Sequence, residues 1–230
     1  GLRVSPDNKI LAFSEDVVSR RIYTVRFKNL ETGEFLSDQI NNTDGSGAWA
    51  NDNKTYFYTV KNEVSLLSEK ILRHKLGTDV ADDFIVYFEH DPSFYIGVGR
   101  SKSGKYIMIY NSSTISSDYH ILDADDPEGS FQQFATREPN HEYSIDHFDD
   151  KFYVVTNWKA QNFRLMETPE KATAKENWTE IIPHRKDVLL EDIEVFKNFL
   201  VVSERGNAAT SIQIIDQKTK KITEHQMLDC

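Results

Sequence analysis

The sequence predicts an all-β fold, a β-propeller of four-stranded antiparallel blades, and three observations predict it. A polar turn followed by an apolar run returns at a near-constant interval along the 230 residues. Each interval holds four strand-like runs. No stretch carries apolar residues at the i, i+3, i+4, i+7 spacing of a long amphipathic helix.

The turn position falls at Lys9, Lys54, Lys105, Lys151 and Asn198, at intervals of 45, 51, 46 and 47 residues. Asp7-Asn8, Asp52-Asn53, Ser103-Gly104 and Asp149-Asp150 precede the first four, and Phe196-Lys197 is the exception. Asp, Asn and Gly suit tight turns because they tolerate left-handed backbone or bond their own backbone. The apolar runs that follow are "ILAF", "TYFYTV", "YIMIY", "FYVVT" and "FLVVS".

The first unit reads "LRVSPDN", "ILAFSED", "IYTVRFKNL" and "FLSDQI", the faintest of the set. The second reads "AWA", "TYFYTVK", "KILRHKL" and "DDFIVYFE", and the third "FYIGVGR", "YIMIYNS", "DYHILDA" and "FQQFATR". The fourth and fifth follow with "YSIDHF", "FYVVTN", "NFRLME", "WTEIIP" and then "EDIEVF", "FLVVSE", "TSIQIID", "ITEHQML". Four antiparallel strands per 40 to 50 residues mark a propeller blade, which buries its faces only against neighbouring blades. The blades are placed at 1–42, 43–90, 91–138, 139–184 and 185–228. A closed ring and an open array both fit five units.

With strands lettered A to D in each blade, the A–B and C–D turns share one end, and the B–C loops and D–A crossovers share the other. The first end reads as plain turns such as "DNK", "ETGE", "KSGK" and "DQKTKK". The second carries longer, charge-rich segments, among them "SEDVVSRR", "VKNEVSLLSEK", "EHDPS", "NWKAQN" and "SERGNAAT". Function is expected at that second end, on loops held by a rigid scaffold.

Composition narrows the function classes. A net charge of −10 disfavours nucleic acid, whose binding draws on Lys and Arg contacts to phosphate, and suits a basic ligand or solubility alone. No run of 18 apolar residues is present, so no membrane span is expected. The lone cysteine, Cys230, excludes an internal disulfide framework and suits a reducing compartment. A cytoplasmic location is expected, or a periplasmic one if a leader was removed. The start at Gly1, without methionine and directly in a strand, reads as that of an excised piece. The Asn-x-Ser/Thr patterns at Asn41, Asn53, Asn111 and Asn177 are read as unmodified.

Motifs for catalysis are weak. Gly99 to Lys105 spells most of a phosphate-binding loop, but Tyr106 stands where Ser or Thr would hold magnesium, and a strand follows instead of a helix. Seven histidines are scattered, with no HExxH spacing; Glu89-His90-Asp91 reads as a solvated crossover and Asp146-His147 as strand polarity. No metal or cofactor site is expected. The nucleophile elbow G-x-S-x-G is absent, and Ser46 in "DGSGA" lacks its spacing. No catalytic residue is assigned. The remaining candidates are Asp16, Arg20 and Arg21 in the charged B–C loop of the first unit, with Glu204 and Arg205 in the equivalent loop of the last. Arginine presents a two-pronged donor to carboxylates, so these residues fit an interdomain or ligand-binding ion-pair network; a solvated loop with exposed pairs fits equally.

The stretches "SPDNKILAFSEDVVSRRIYTVRFKNLETGE", "WANDNKTYFYT", "LRHKLGT", "FDDKFYVVTNWKAQNF" and "NWTEIIPHR" resemble the propeller of the oligopeptidase B (protease II) group of the prolyl oligopeptidase family of serine peptidases. The likeness runs from Val4 to about Gln226. It implies a seven-bladed propeller, of which this chain holds five blades, capping a C-terminal α/β-hydrolase domain of the same polypeptide. That domain would carry the Ser–Asp–His triad and lies outside these residues. The resemblance implies that the propeller gates access, that short basic peptides are substrates, and that cleavage follows Lys or Arg. It also implies that Arg21 stands near the propeller–hydrolase interface, in an ion-pair network that gates the cavity. The alternative is a scaffold propeller that binds partner proteins and has no peptidase attached.

Overall fold

The computed structural model describes residues 1–226, so Met227 and Leu228, placed in the last strand above, and Cys230 lie outside the described residues. Among the described residues twenty strands form five four-stranded sheets, each with its strands in chain order. Sheet 1 holds β1 (Leu2–Val4), β2 (Ile10–Glu15), β3 (Tyr23–Asn29) and β4 (Phe35–Thr43). Sheet 2 holds β5 (Gly47–Trp49), β6 (Thr55–Lys61), β7 (Ser68–Lys75) and β8 (Phe84–Phe88). Sheet 3 holds β9 (Tyr95–Arg100), β10 (Tyr106–Ser112), β11 (Ser117–Asp123) and β12 (Gln132–Gln133). Sheet 4 holds β13 (Tyr143–Phe148), β14 (Lys151–Thr156), β15 (Arg164–Pro169) and β16 (Thr179–Ile182). Sheet 5 holds β17 (Val188–Val195), β18 (Phe199–Gly206), β19 (Ala209–Asp216) and β20 (Ile222–Gln226). Among the described residues helix is confined to two single 3₁₀ turns, Val80–Asp82 and Lys175–Asn177.

The recurring turn has a common chemistry. Asp7 Oδ1 accepts the Lys9 N–H at 3.1 Å, and Asp52 Oδ1 accepts those of Lys54 at 2.9 Å and Thr55 at 2.8 Å. Ser103 Oγ takes the same role for Lys105 at 3.1 Å. The residue before each of these lysines has left-handed backbone: Asn8 at φ 62°, Asn53 at 60° and Gly104 at 73°. In sheet 4 the turn shrinks to Asp149-Asp150, with Phe148 opposite Lys151, so Lys151 opens β14. In sheets 1 to 3 a side-chain acceptor followed directly by a left-handed residue closes the A–B hairpin.

The chain divides into two compact units, residues 1–114 with 119–133, and residues 115–118 with 134 to the end. In the first, Phe27 of β3 meets Trp49 and Tyr56 of sheet 2 edge-on at 5.5 and 5.4 Å, among Val25, Ile40 and Tyr58. Burying such side chains contributes roughly 1.5–3 kcal/mol each. Gly47 is required here, because a Cβ on it would lie 2.2 Å from Tyr56 Oη. A second cluster joins Phe57 and Ile71 of sheet 2 to Val98, Ile107 and Ile109 of sheet 3. In the second unit, Tyr153, Val155 and Leu165 of sheet 4 pack with Leu190, Leu200 and Val202 of sheet 5.

Three expectations need correction. The run "FQQFATR" pairs only through Gln132 and Gln133, because Phe134 and Ala135 leave the ladder and turn into buried positions. The C–D connections at 76–83 and 170–178 are not plain turns but carry the two 3₁₀ turns. In sheet 5 the segment "SERGNAAT" is not a loop. β18 and β19 continue to Gly206 and Ala209, joined by Asn207 and Ala208, both left-handed at φ 50° and 64°.

Candidate functional site

In the first unit the charged B–C loop spans residues 16–22, between β2 and β3. Asp16 organises it. Its Oδ1 accepts the Val18 N–H at 3.0 Å and its Oδ2 the Arg21 N–H at 2.7 Å. Partial burial presses the Asp16 pKa upward, but the N–H groups of Val18, Arg21, Arg20 and Ser19 outweigh it and hold the carboxyl below its usual value. Ser19 and Arg21 take left-handed backbone at φ 58° and 57°. The folded loop therefore turns Val17 and Val18 outward, 84% and 68% exposed, beside the exposed Arg20 and Arg21.

The B–C loop of sheet 2, residues 62–67, uses the same device. Asn62 Oδ1 accepts the N–H groups of Val64 and Ser65, both at 2.9 Å, and Val64 stands 94% exposed at the tip. Lys61, the last residue of β6, joins the two loops by donating from Nζ to the Arg21 carbonyl at 2.6 Å. Asn42 Nδ2 donates to the Lys61 carbonyl at 2.9 Å. Polar groups thus hold each loop from inside, and the tips present valine and arginine to solvent. Exposed valines beside arginines on loops braced from within have the composition of an interaction surface.

The structure brings Asp16, Arg20 and Arg21 together in one loop. Glu204 and Arg205 belong to the second unit and serve their own sheet. Both lie in β18, not in a loop, and successive strand residues face opposite sides. Glu204 is buried, 2% exposed, and its carboxylate accepts from Arg185 Nη2 and from Gln213 Nε2, the latter at 2.9 Å. Arg205 is exposed and donates from Nε to Glu191 Oε1 at 2.7 Å.

Sequence reasoning missed a second constellation in the first unit. His74 of β7 is fully buried, with Nδ1 at 2.8 Å from Asp83 Oδ1 and Nε2 at 3.1 Å from Asp38 Oδ1. Tyr58 donates to Asp83 Oδ2 at 2.8 Å, and the Gly77 N–H donates to Asp38 at 2.5 Å. These residues come from four segments, and no spacing in the sequence signals them. His147 is likewise buried in β13, with Nε2 at 3.3 Å from Glu170, so its place is interior rather than on a polar strand face. No group of three or more His, Cys, Asp or Glu side chains is arranged to hold a metal ion among the described residues.

The sequence profile of the prolyl oligopeptidase N-terminal β-propeller domain matches residues 1–229. The chain belongs to this family. Dipeptidyl aminopeptidase BI of Pseudoxanthomonas mexicana is 42% identical over 213 residues, covering 92% of this chain and 29% of that protein. Protease 2 of Moraxella lacunata is 31% identical over 216 residues, covering 93% and 31%. The structure of oligopeptidase B from Leishmania major matches at a TM-score of 0.90 and 25% identity, over 100% of this chain and 33% of that one. Oligopeptidase B from Trypanosoma brucei with covalently bound antipain, in a closed form, matches at 0.86 and 27%, over 100% and 33%. The chain spans about three tenths of the length of these curated relatives. The five four-stranded sheets are accordingly blades of this family's propeller.

Proposed function

We propose that this propeller portion docks through its braced B–C loops on a serine-peptidase domain of the same polypeptide and gates peptide entry to it. The observation that carries the reading is the exposed surface of Val17, Val18 and Val64 beside Arg20 and Arg21, held by Asp16, Asn62 and Lys61. The assembled protein would hydrolyse short peptides after Lys or Arg by acyl transfer through a serine. The net charge of −10 would favour the approach of basic peptides.

A second reading rests on the 42% identity to a dipeptidyl aminopeptidase, against 31% to protease 2. Under it the parent protein removes dipeptides from free amino ends. One assay separates the two: the polypeptide encoded beyond Cys230 is included, and an arginine-containing peptide is supplied with its amino terminus free or acetylated. Cleavage of both after arginine supports the first reading. Stepwise dipeptide release from the free form alone supports the second. A reading frame with no G-x-S-x-G elbow downstream would favour a binding scaffold instead.

A further inference from the structure

The seam between sheets 4 and 5, inside the second unit, leaves a cavity of about 480 Å³. Its apolar wall comes from Ile181, Ile182 and Pro183 on the sheet 4 side and Leu200, Ile215 and Ile222 on the sheet 5 side. The physical reason for the gap lies in side-chain size. Phe27, Trp49, Tyr56 and Tyr58 fill the seam between sheets 1 and 2, whereas sheet 5 brings only aliphatic side chains to its seam with sheet 4. The volume falls in the roughly 300–1,000 Å³ range of small-molecule sites.

Charge at this cavity runs against that of the chain. Lys151, Arg185 and Lys220 line it with Glu167 as the one acid. Lys151 is paired with Glu167 and Arg185 with Glu204. Lys220 differs. It sits in the β19–β20 turn with left-handed backbone at φ 60°, and its ammonium has no hydrogen bond or ion pair among the described residues beyond a charge interaction with Asp216. The polar side chains inside are already satisfied: Gln217 accepts from Tyr153 Oη at 3.0 Å, and Gln213 donates to Glu204. An apolar interior with one cation, Lys220, that forms no hydrogen bond or ion pair among the described residues suits a ligand with an apolar tail and a single negative head.

We propose that this inter-blade cavity binds an aliphatic monocarboxylate, with the tail between the isoleucines and the carboxylate toward Lys220. The proposal is independent of the peptidase reading.

Isothermal titration of the 230-residue chain with decanoate tests it, with decanol as the neutral counterpart and decyltrimethylammonium as the cation. Decanoate is expected to bind at one saturable site with a negative heat-capacity change, at least about fivefold tighter than decanol, and the cation not at all. Lys220→Glu should abolish the preference for decanoate over decanol. Ile222→Trp, at an exposed edge position, and Ile215→Phe, each checked by circular dichroism, should weaken decanoate about tenfold or more by filling the space. Absence of saturable decanoate binding, equal binding of decanol, or full affinity in both filled variants would overturn the proposal.

Discussion

His74 Nδ1 lies 2.8 Å from Asp83 Oδ1, and neither side chain is more than 2% exposed. With Asp38 on the other ring nitrogen, the imidazole sits between two buried carboxylates, one on β4 and one beyond β7. Phe27 stacks on the ring at 6.1 Å, and Tyr58 donates to Asp83. Both ring nitrogens meet acceptors, which is the arrangement of an imidazolium.

A pH dependence follows. Burial alone would lower the His74 pKa, but the hydrogen bonds and charges of Asp83 and Asp38 raise it above 6.5. A raised histidine contributes stability that is fully present below 6.5 and is lost as pH rises through the folded value. Burial would raise the Asp38 pKa, but the Gly77 N–H and His74 lower it below 3.8. That contribution is present above 3.8 and is lost as pH falls through the folded value. Both contributions are in place between about pH 4 and 6.5, and the melting temperature should decline on the alkaline side as that of His74 is lost; below 6.5, buried His141, its pKa pushed down to about 4, withdraws stability as the pH falls. In His74→Gln that alkaline decline should shrink; an identical profile in the variant would assign the titration elsewhere. Removing the cation while both carboxylates stay buried should cost about 3–5 kcal/mol near pH 6.

Gly47 and Tyr56 make a second expectation. A methyl group at Gly47 would collide with the Tyr56 ring, which is itself buried among Trp49 and Phe27. Gly47→Ala should destabilise by about 1–3 kcal/mol in urea denaturation. Adding Tyr56→Phe should relieve little, since the ring carbons Cζ and Cε1 also lie within 2.6 Å of the new Cβ. Wild-type stability in Gly47→Ala would mean the ring moves aside freely.

The two acid–base pairs of sheet 5 should differ sharply. Arg185→Ala leaves the Glu204 carboxylate buried with Gln213 alone, and should cost about 3–5 kcal/mol. Arg205→Ala removes an exposed pair with Glu191 and should cost under about 1 kcal/mol. Equal costs by thermal melting would contradict the assignment of Glu204 to the sheet interior.

Much of this was legible in the sequence, for identifiable reasons. Asp7-Asn8 and Asp52-Asn53 state their turn chemistry in adjacent residues, so the repeat and the five sheets could be read directly. The B–C loop of sheet 5 could not. Asn207 and Ala208 form a two-residue hairpin in left-handed backbone without the glycine that normally announces one. Glu204 and Arg205 therefore looked like loop residues. The His74 cluster was invisible because Asp83 reaches His74 and Tyr58 only through the folded C–D connection of sheet 2, and Asp38 only when sheets 1 and 2 pack. Asp16, Arg20 and Arg21 were legible as a charged loop, but the part played by Asp16, as acceptor for the loop's own N–H groups, appears only with the backbone in place.

That part is itself testable. Asp16→Ala removes the acceptor for the Val18 and Arg21 N–H groups, and should loosen the loop. Because Arg20 and Arg21 are exposed trypsin sites, limited digestion should cut this loop several-fold faster in the variant. An unchanged cleavage rate would mean that Lys61 and the flanking strands hold the loop without Asp16.

The proposed docking of the B–C loops is tested most directly by Arg21→Ala, made both in this chain and in a longer polypeptide that would carry the proposed peptidase domain. Arg21 is exposed, and its backbone rather than its side chain makes the contacts to Asp16 and Lys61. The melting temperature of the 230-residue chain should barely move. If the guanidinium meets a carboxylate when the domains close, kcat/KM for an arginyl reporter peptide should fall by about 5- to 150-fold, the equivalent of about 1–3 kcal/mol. Unchanged kcat/KM together with a marked drop in melting temperature would contradict the account, and would make Arg21 a residue that serves its own blade.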